Sequence, residues 1–116
     1  MLSGFGIRED SPMKITYANA EYSGGGIYIY YGTLEDGNYF LTDDDSIDYV
    51  QLLDTDPSKV FEESLYEEWQ STHRYGDYSG QKAKDFLKDV LSWICDSRPS
   101  GNYNVTELES RLAKLS

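Results

Sequence analysis

The spacing of hydrophobic residues changes once along this chain, and that change constrains the fold more than any other feature. From Lys14 to Leu53, apolar and polar side chains alternate in short segments between glycine- and aspartate-rich turns, as in antiparallel strands. After Asp56 the apolar residues recur every three or four positions, the period of an α-helix. We therefore predict an α+β fold. It has an antiparallel meander of three to four strands at about residues 14–53, packed by two to three C-terminal helices at about 57–72, 79–97 and 104–115.

The β half shows one strong strand and one strong turn. Ile27–Tyr31 is entirely β-branched and aromatic, which predicts a strand with Ile29 and Tyr31 on one face and Tyr28 and Tyr30 on the other. Asp36-Gly37 between two such segments predicts a type I′ hairpin turn, in which both central residues have positive φ. The other predicted elements are a first strand near 14–20, a turn at 23–26 and a fourth strand at 47–53.

The helical half carries clear start signals. Asp56 followed by Pro57 predicts the N-terminus of a first helix that ends before Gly76. Ser79 is expected to cap a second helix, and either Asn104 or Thr106 opens a third, with Glu107 or Glu109 completing a capping box. We place all of these helices on one face of the sheet. The inward residues are predicted to be Phe61, Leu65 and Trp69; Ala83, Phe86, Leu87, Val90, Leu91 and Ile94; and Leu108, Leu112 and Leu115.

Residues 13–116 are expected to form one domain, preceded by a loose leader at residues 1–12 that shows no hydrophobic period. No apolar run approaches the ~20 residues that span a bilayer, and the first residues lack the pattern of a secretory signal. Cys95 is the single cysteine, which favours a reduced cytoplasmic protein with one helix-buried thiol.

Charge is distributed unevenly along the chain. The net charge is −11, and residues 1–69 contain 15 acidic and 3 basic residues, a net of −12. Phosphate binding requires clustered Lys and Arg, so this balance argues against direct binding to nucleic acid or an anionic membrane. A basic protein surface is the expected partner, although such acidity also serves solubility alone.

The patterns of common catalytic and metal sites are missing from the sequence. One His and one Cys cannot build a zinc cluster, and the aspartate-rich segments at 43–48 and 54–58 break the calcium-loop pattern. Gly24–Gly26 precedes a strand, which fits neither nucleotide-binding fingerprint. His73 is interpreted as an exposed residue at a helix end. We expect no enzyme activity, cofactor or metal.

Interleaved acidic and aromatic residues are the strongest functional signal. Glu63 and Glu67 lie four apart on the first predicted helix, where like charges do not help folding. With the aspartate-rich turns they predict an anionic face that imitates the phosphates of a nucleic acid. The candidate binding residues are Asp43, Asp44, Asp45, Asp48, Asp54, Asp56, Glu62, Glu63, Tyr66, Glu67 and Glu68. Candidate interface anchors are Tyr22, Tyr28, Tyr30, Tyr39, Tyr49, Tyr75 and Tyr78. The alternative, favoured for Tyr28 and Tyr30, is that most of these tyrosines cover the second face of the sheet.

A resemblance covers most of the chain from Met13 onward. The stretch Tyr17–Gly32 with Leu34, Gly37, Tyr39 and Phe40, and the later Trp93-Ile94, Pro99, Gly101-Asn102-Tyr103 and Leu108-Glu109, resemble short acidic proteins of phages and integrated elements in Firmicutes. The shared motifs are structural, and no catalytic residue comes with them. The resemblance implies a mobile-element accessory protein. Many small acidic proteins of that origin inhibit defence nucleases, as anti-CRISPR and anti-restriction proteins do.

The function expected from these features is a non-enzymatic inhibitor whose acidic face blocks a basic, nucleic-acid-binding protein such as a nuclease. The alternatives are an immunity or antitoxin-like protein that binds one basic toxin, and a phage accessory or assembly component. A small enzyme or ligand-binding domain would require His73 or Cys95 to converge on carboxylates in a pocket. The chain is expected to be a monomer or a dimer, since an edge strand or the leader could pair with a second copy.

Overall fold

The structure, a computed structural model, describes residues 13–60 and 66–115. In these ranges the strands are β1 (Ile15–Gly24), β2 (Ile27–Leu34), β3 (Tyr39–Asp43), β4 (Tyr49–Leu53) and β5 (Arg74–Ser79). The α-helices are α1 (Tyr66–His73), α2 (Gly80–Ser97) and α3 (Val105–Leu115), with short 3-10 helices at Asp44–Ser46 and Pro57–Val60. The predicted leader, residues 1–12, lies outside the described residues.

The described strands form one antiparallel sheet in chain order, β1-β2-β3-β4-β5. The predicted α+β meander with C-terminal helices is therefore confirmed, with a fifth strand added. β2 runs through the interior of the sheet and approaches β1 closely: a Cβ atom at Gly32 would overlap the carbonyl oxygen of Tyr17. Glycine is required there because the two backbones leave no room for a side chain.

The β2–β3 hairpin forms where it was predicted, but its turn is different. Of the residues in this turn, Gly37 alone has positive φ, at 90°. A type I′ turn needs positive φ at both central residues, so this turn is of another type. The loop spans Glu35–Asn38, closed by hydrogen bonds from the Leu34 amide to the Asn38 carbonyl (2.8 Å) and from the Gly37 amide to the Leu34 carbonyl (2.9 Å). Asp36 adds a side-chain bond to the Asn38 amide (2.9 Å).

The first predicted helix, 57–72, is described only at its two ends, both of which are helical. A 3-10 helix begins at Pro57 as expected, with the Asp56 carboxylate accepting from the Ser58 amide at 3.0 Å, and an α-helix covers Tyr66–His73. Residues 61–65, including the predicted inward Phe61 and Leu65, are outside the described ranges. β5 follows α1 at once, where we expected a loop, because Val50 and Leu52 of β4 pair with Tyr78 and Gly76.

The main core lies between the sheet and helices α2 and α3. Phe86 is fully buried and meets Phe40 and Tyr78 edge-on, at ring-centroid distances of 5.0 and 5.1 Å. The predicted α2 stripe is confirmed in full: Ala83, Phe86, Leu87, Val90, Leu91 and Ile94 are all buried. Ser79 occupies the N-cap position of α2, but its side chain makes no capping hydrogen bond.

Helix α3 begins at the first of its two predicted caps. The Asn104 side chain accepts from the Glu107 amide at 3.1 Å. Glu107 does not complete the predicted box, because its carboxylate pairs with Arg111 at 2.6 Å. Leu108 is fully buried, and Leu112 and Leu115 pack against the main core.

The prediction that all helices lie on one face of the sheet is wrong. We call the side packed by α2 and α3, which includes Tyr28, Tyr30, Phe40 and Val50, the core face. The opposite side, which includes Tyr31, Leu41 and Leu53, packs against Trp69 of α1; we call it the cleft face. Tyr28 and Tyr30 are accordingly buried in the main core and do not cover the second face.

One edge of the sheet is protected by the α2–α3 connection. The Tyr22 amide donates to the Asn102 carbonyl at 2.9 Å, and Glu21 and Asn102 form an isolated parallel bridge. The Asn19 side chain donates to the Ser100 carbonyl. Covering an edge in this way blocks unintended strand pairing. No helix in the described part of the chain is long and apolar enough to cross a membrane.

Candidate functional site

The β3–β4 loop brings three of the predicted binding aspartates together. Asp43 caps the 3-10 helix, its Oδ1 accepting from the Asp45 amide at 3.0 Å, and Asp45 and Asp48 are exposed. None of these three carboxylates forms an ion pair with another described residue. Within residues 13–60 and 66–115, no ion pair neutralises their charge.

Asp44 is in the same loop but has a different role. Its carboxylate accepts from the Tyr28 amide (2.7 Å) and the Tyr30 hydroxyl (2.6 Å) and pairs with Arg111 at 3.1 Å. The side chain is only 11% exposed. Asp44 thus ties the loop to β2 and α3, and it does not present its charge to a partner.

The environment of Asp44 is a buried polar network at the edge of the core. Burial, with the hydrogen bond to Asp44, raises the pKa of the Tyr30 hydroxyl, so Tyr30 is a neutral donor. The Arg111 guanidinium also lies over the Tyr28 ring, 5.4 Å from its centroid. The Asp44 carboxylate and the Tyr30 hydroxyl satisfy each other, and the terminal nitrogens of Arg111 pair with Asp44 and Glu107, whereas the buried Arg111 Nε has no hydrogen-bond partner among the described residues.

Asp54 and Asp56 lie at the other end of β4, where both carboxylates form hydrogen bonds with other described side chains or amides. Asp54 contacts the His73 Nδ1 atom at 2.9 Å, and hydrogen bonds from His73 and Thr55 lower the pKa of Asp54. Asp56 accepts from the Ser58 amide and hydroxyl. Asp48 precedes β4 and Asp54 follows it, which separates them by about 20 Å at ~3.3 Å per residue. The predicted aspartates are therefore divided between two ends of the sheet.

Helix α1 supplies further acidic side chains. Glu67 and Glu68 are exposed and form no ion pair with the described residues. Gln70 lies three positions after Glu67, on the same helical face, and lines a cleft together with Asp43. Of the other predicted residues, Glu62 and Glu63 are outside the described ranges, as is the side chain of Tyr66.

The cleft beside Gln70 is a feature that our sequence reasoning missed. It has a volume of about 230 Å³ and lies on the cleft face next to the β3–β4 loop. Alternation placed Ile29 on the face opposite Tyr28 and Tyr30, but no local signal indicated that α1 would lie across that face. The lining residues are Ile29, Leu41, Thr42, Asp43, Ser46, Tyr49, Gln51 and Gln70.

Only some of the predicted tyrosine anchors are accessible. Tyr22 and Tyr75 are 43% and 49% exposed, and Tyr49 is half-buried at the cleft. Tyr78 is buried in the main core, and its hydroxyl oxygen accepts a hydrogen bond from the Met13 amide at 2.8 Å. Tyr49 is the accessible aromatic side chain that lines a cleft together with an acidic residue of the β3–β4 loop.

The geometry brings His73 and Cys95 to different sides of the sheet. Cys95 is a free thiol in the main core, and burial raises its pKa. His73 packs against Trp69, 4.8 Å between ring centroids, and Trp69 belongs to the cleft face. The described residues contain no group of three His, Cys, Asp or Glu side chains that could hold a metal ion.

Comparisons with known proteins do not add a function to this geometry. No family model, curated protein or solved structure matches the chain. The candidate site is therefore defined by its own residues: Asp43, Asp45, Asp48, Glu67 and Glu68, with the adjoining cleft. We call these five carboxylates the open acidic group.

Proposed function

We propose that this chain is a non-enzymatic, acidic protein-binding domain that occupies a basic, nucleic-acid-binding surface of another protein. The supporting observation is that the open acidic group has no cationic partner among the described residues. Unpaired surface carboxylates repel one another and add nothing to folding, whereas a lysine- and arginine-lined groove would neutralise them.

The sequence resemblance supports a more specific version of this proposal. A phage or mobile-element protein with such a surface would act in the cytoplasm as an anti-defence inhibitor, of the anti-CRISPR or anti-restriction kind. Its carboxylates would take the place of phosphates in the nuclease's groove. An immunity-type protein would use the same surface against a basic toxin, and the identity of the partner distinguishes the two.

The test is inhibition of DNA cleavage by a panel of Firmicute RNA-guided nucleases and restriction endonucleases. We expect inhibition of at least one enzyme at about 50 mM salt that weakens steeply toward about 300 mM, because contacts with phosphate-binding surfaces depend on ionic strength. A variant with Asp45→Lys, Asp48→Lys and Glu67→Lys should inhibit at least about tenfold less well. Asp44 is left intact because it supports the fold.

A matched control carries the same number of charge reversals on helix α2, at Asp85, Asp89 and Asp96, which are exposed and lie outside the open acidic group. This control should inhibit as the unmodified chain does. Equal loss in both variants would show that net charge alone matters, and inhibition insensitive to salt and to both variants would refute the proposal. Absence of inhibition across the panel, with a basic toxin bound instead, would favour the immunity-type function.

A further inference from the structure

The cleft is lined by apolar, amide and phenol side chains as well as one carboxylate, which distinguishes it from the exposed carboxylates nearby. We propose that it receives one arginine side chain of the protein partner. This inference rests on the proposed function and specifies it, because it names the group that the partner inserts. The argument depends on the position of the lining residues in the sheet, on their unused hydrogen-bonding atoms and on the size of the cleft.

Strand register brings the lining residues together. Ile29 of β2 is paired with Asp43 of β3, and Leu41 of β3 with Gln51 of β4. Tyr49 lies two residues before Gln51 and therefore on the same face. Side chains directly opposite each other in a sheet have Cβ atoms ~4.5–5.5 Å apart. The cleft thus has an apolar floor with a carboxylate and a phenol ring beside it.

These groups match the two parts of an arginine side chain. Arginine covers apolar surface with its methylene stem and presents a planar, permanently charged fork of donors. Ile29 and Leu41 provide the apolar surface. Asp43 uses Oδ1 for the Asp45 amide, which leaves Oδ2 without a hydrogen bond from any described residue. A guanidinium can donate to that atom.

The amide side chains at the cleft also have unused acceptors. Gln51 and Gln70 line it, and neither side chain has a hydrogen-bond partner within residues 13–60 and 66–115. Gln51 comes from the floor and Gln70 from helix α1 above it. No Lys or Arg is among the described lining residues, so an incoming cation meets acceptors and one negative charge.

Within the chain, one arginine already contacts a tyrosine ring and a carboxylate together. The Arg74 guanidinium lies over the Tyr49 ring, 5.0 Å from its centroid, and pairs with Asp77 at 2.6 Å. Tyr49 therefore already stacks with one guanidinium. Because Asp77 neutralises Arg74, the charge beside the cleft is set by Asp43.

The size of the cleft favours a single side chain. Its volume of about 230 Å³ is below the roughly 300–1,000 Å³ of ordinary small-molecule pockets. Lysine fits less well, because its ammonium is a compact, strongly hydrated point charge that cannot stack on a ring or bind a carboxylate with two parallel donors.

The experiment is an NMR titration of the isotope-labelled chain with N-acetyl-arginine methylamide. Matched probes are the same derivatives of lysine and of citrulline, which has the shape of arginine without its charge. We expect shift changes at Asp43, Tyr49, Gln51 and Gln70 with a Kd in the millimolar range, as befits one side chain. Binding of the lysine and citrulline probes should be at least about fivefold weaker.

Asp43→Asn is the decisive variant, because an asparagine keeps the oxygen that accepts from the Asp45 amide and removes only the charge. It should weaken binding of the arginine probe at least about tenfold. Asp45→Asn is the matched control: it removes a charge from the same loop but does not line the cleft, and it should leave the Kd within about twofold.

Two results would overturn the inference: no saturable shift with the arginine probe, or identical titrations for Asp43→Asn and the unmodified chain. Either result would leave the proposed function standing if the salt-dependent inhibition and its loss on charge reversal were observed. Conversely, saturable binding of the arginine probe with no inhibition of any nuclease would retain the cleft as an arginine site and reject the anti-defence role.

Discussion

The two faces of the sheet are built differently. The core face carries the largest fully buried side chains, including Tyr30, Phe40 and Phe86, and two amphipathic helices cover it. The cleft face has a small buried cluster of Tyr31, Leu41 and Leu53, with Ile29, Tyr39 and Trp69 only partly buried against it. The polar cleft and the open acidic group lie on or beside this second face. Among the described residues, the larger buried core therefore lies on one side of the sheet, and the proposed recognition surface lies on the other.

The largest effect should come from matched truncations on the two faces. Leu87 on the core face and Leu41 on the cleft face are 1% and 4% exposed. We expect Leu87→Ala to lower the free energy of unfolding by about 4 kcal/mol and Leu41→Ala by about 2 kcal/mol, because the residual cavity is smaller where the surroundings can relax or admit water. Urea denaturation followed by circular dichroism measures both. Equal losses would contradict the proposed division between the faces.

A somewhat smaller effect is expected when the two neighbouring aspartates of the β3–β4 loop are compared. Asp44→Ala removes two hydrogen bonds and leaves Arg111 without one of its ion-pair partners. It should cost about 2–3 kcal/mol, less than a fully buried pair because Arg111 is partly exposed. Asp45→Ala should change stability by less than about 0.5 kcal/mol. If the two variants unfold at the same urea concentration, Asp44 does not anchor the loop.

The smallest effect should be the pH dependence of the stability that the Asp54 carboxylate, at the opposite end of β4, contributes. Hydrogen bonding to His73 lowers the pKa of Asp54 in the folded chain, so the ionised carboxylate favours folding above its unfolded pKa of ~3.9. That contribution disappears as the pH falls through the lower pKa that Asp54 has in the folded chain. Thermal unfolding should therefore show the unmodified chain slightly more stable than Asp54→Asn at pH 5 to 6, and the difference should close below about pH 4.

The matched control for this titration is Asp45→Asn, whose carboxylate has no ion-pair partner among the described residues. It should show no comparable pH-dependent difference. A stability gap between the unmodified chain and Asp54→Asn that persists unchanged at pH 3 would show that the hydrogen bond to His73 does not stabilise the fold through the Asp54 charge.

The candidate site was only partly predictable, and Asp44 shows why. Asp43, Asp44 and Asp45 are identical neighbours in the sequence, and no local pattern distinguishes one from another. Their roles differ because Tyr28, Tyr30 and Arg111, which are distant in the chain, converge on Asp44 alone. Asp45 lies in the turn predicted at 43–46 and is exposed, as polar turns between strands normally are, whereas Asp48 was assigned to the predicted fourth strand but precedes the observed one. The cleft could not be predicted, because its lining comes from three strands, a 3-10 helix and helix α1.

The sequence by itself determined the elements whose signal lies within one contiguous segment. Strand β2, the β2–β3 hairpin, and helices α2 and α3 follow from hydrophobic period, turn residues and caps, which are properties of neighbouring residues. The tertiary structure alone decided that Arg74–Ser79 becomes a fifth strand and that α1 crosses to the cleft face. Arg74–Ser79 contains a glycine and mostly exposed side chains, so its strand conformation depends on hydrogen bonding to β4, more than twenty residues earlier. Such non-local pairing overrides weak local propensity.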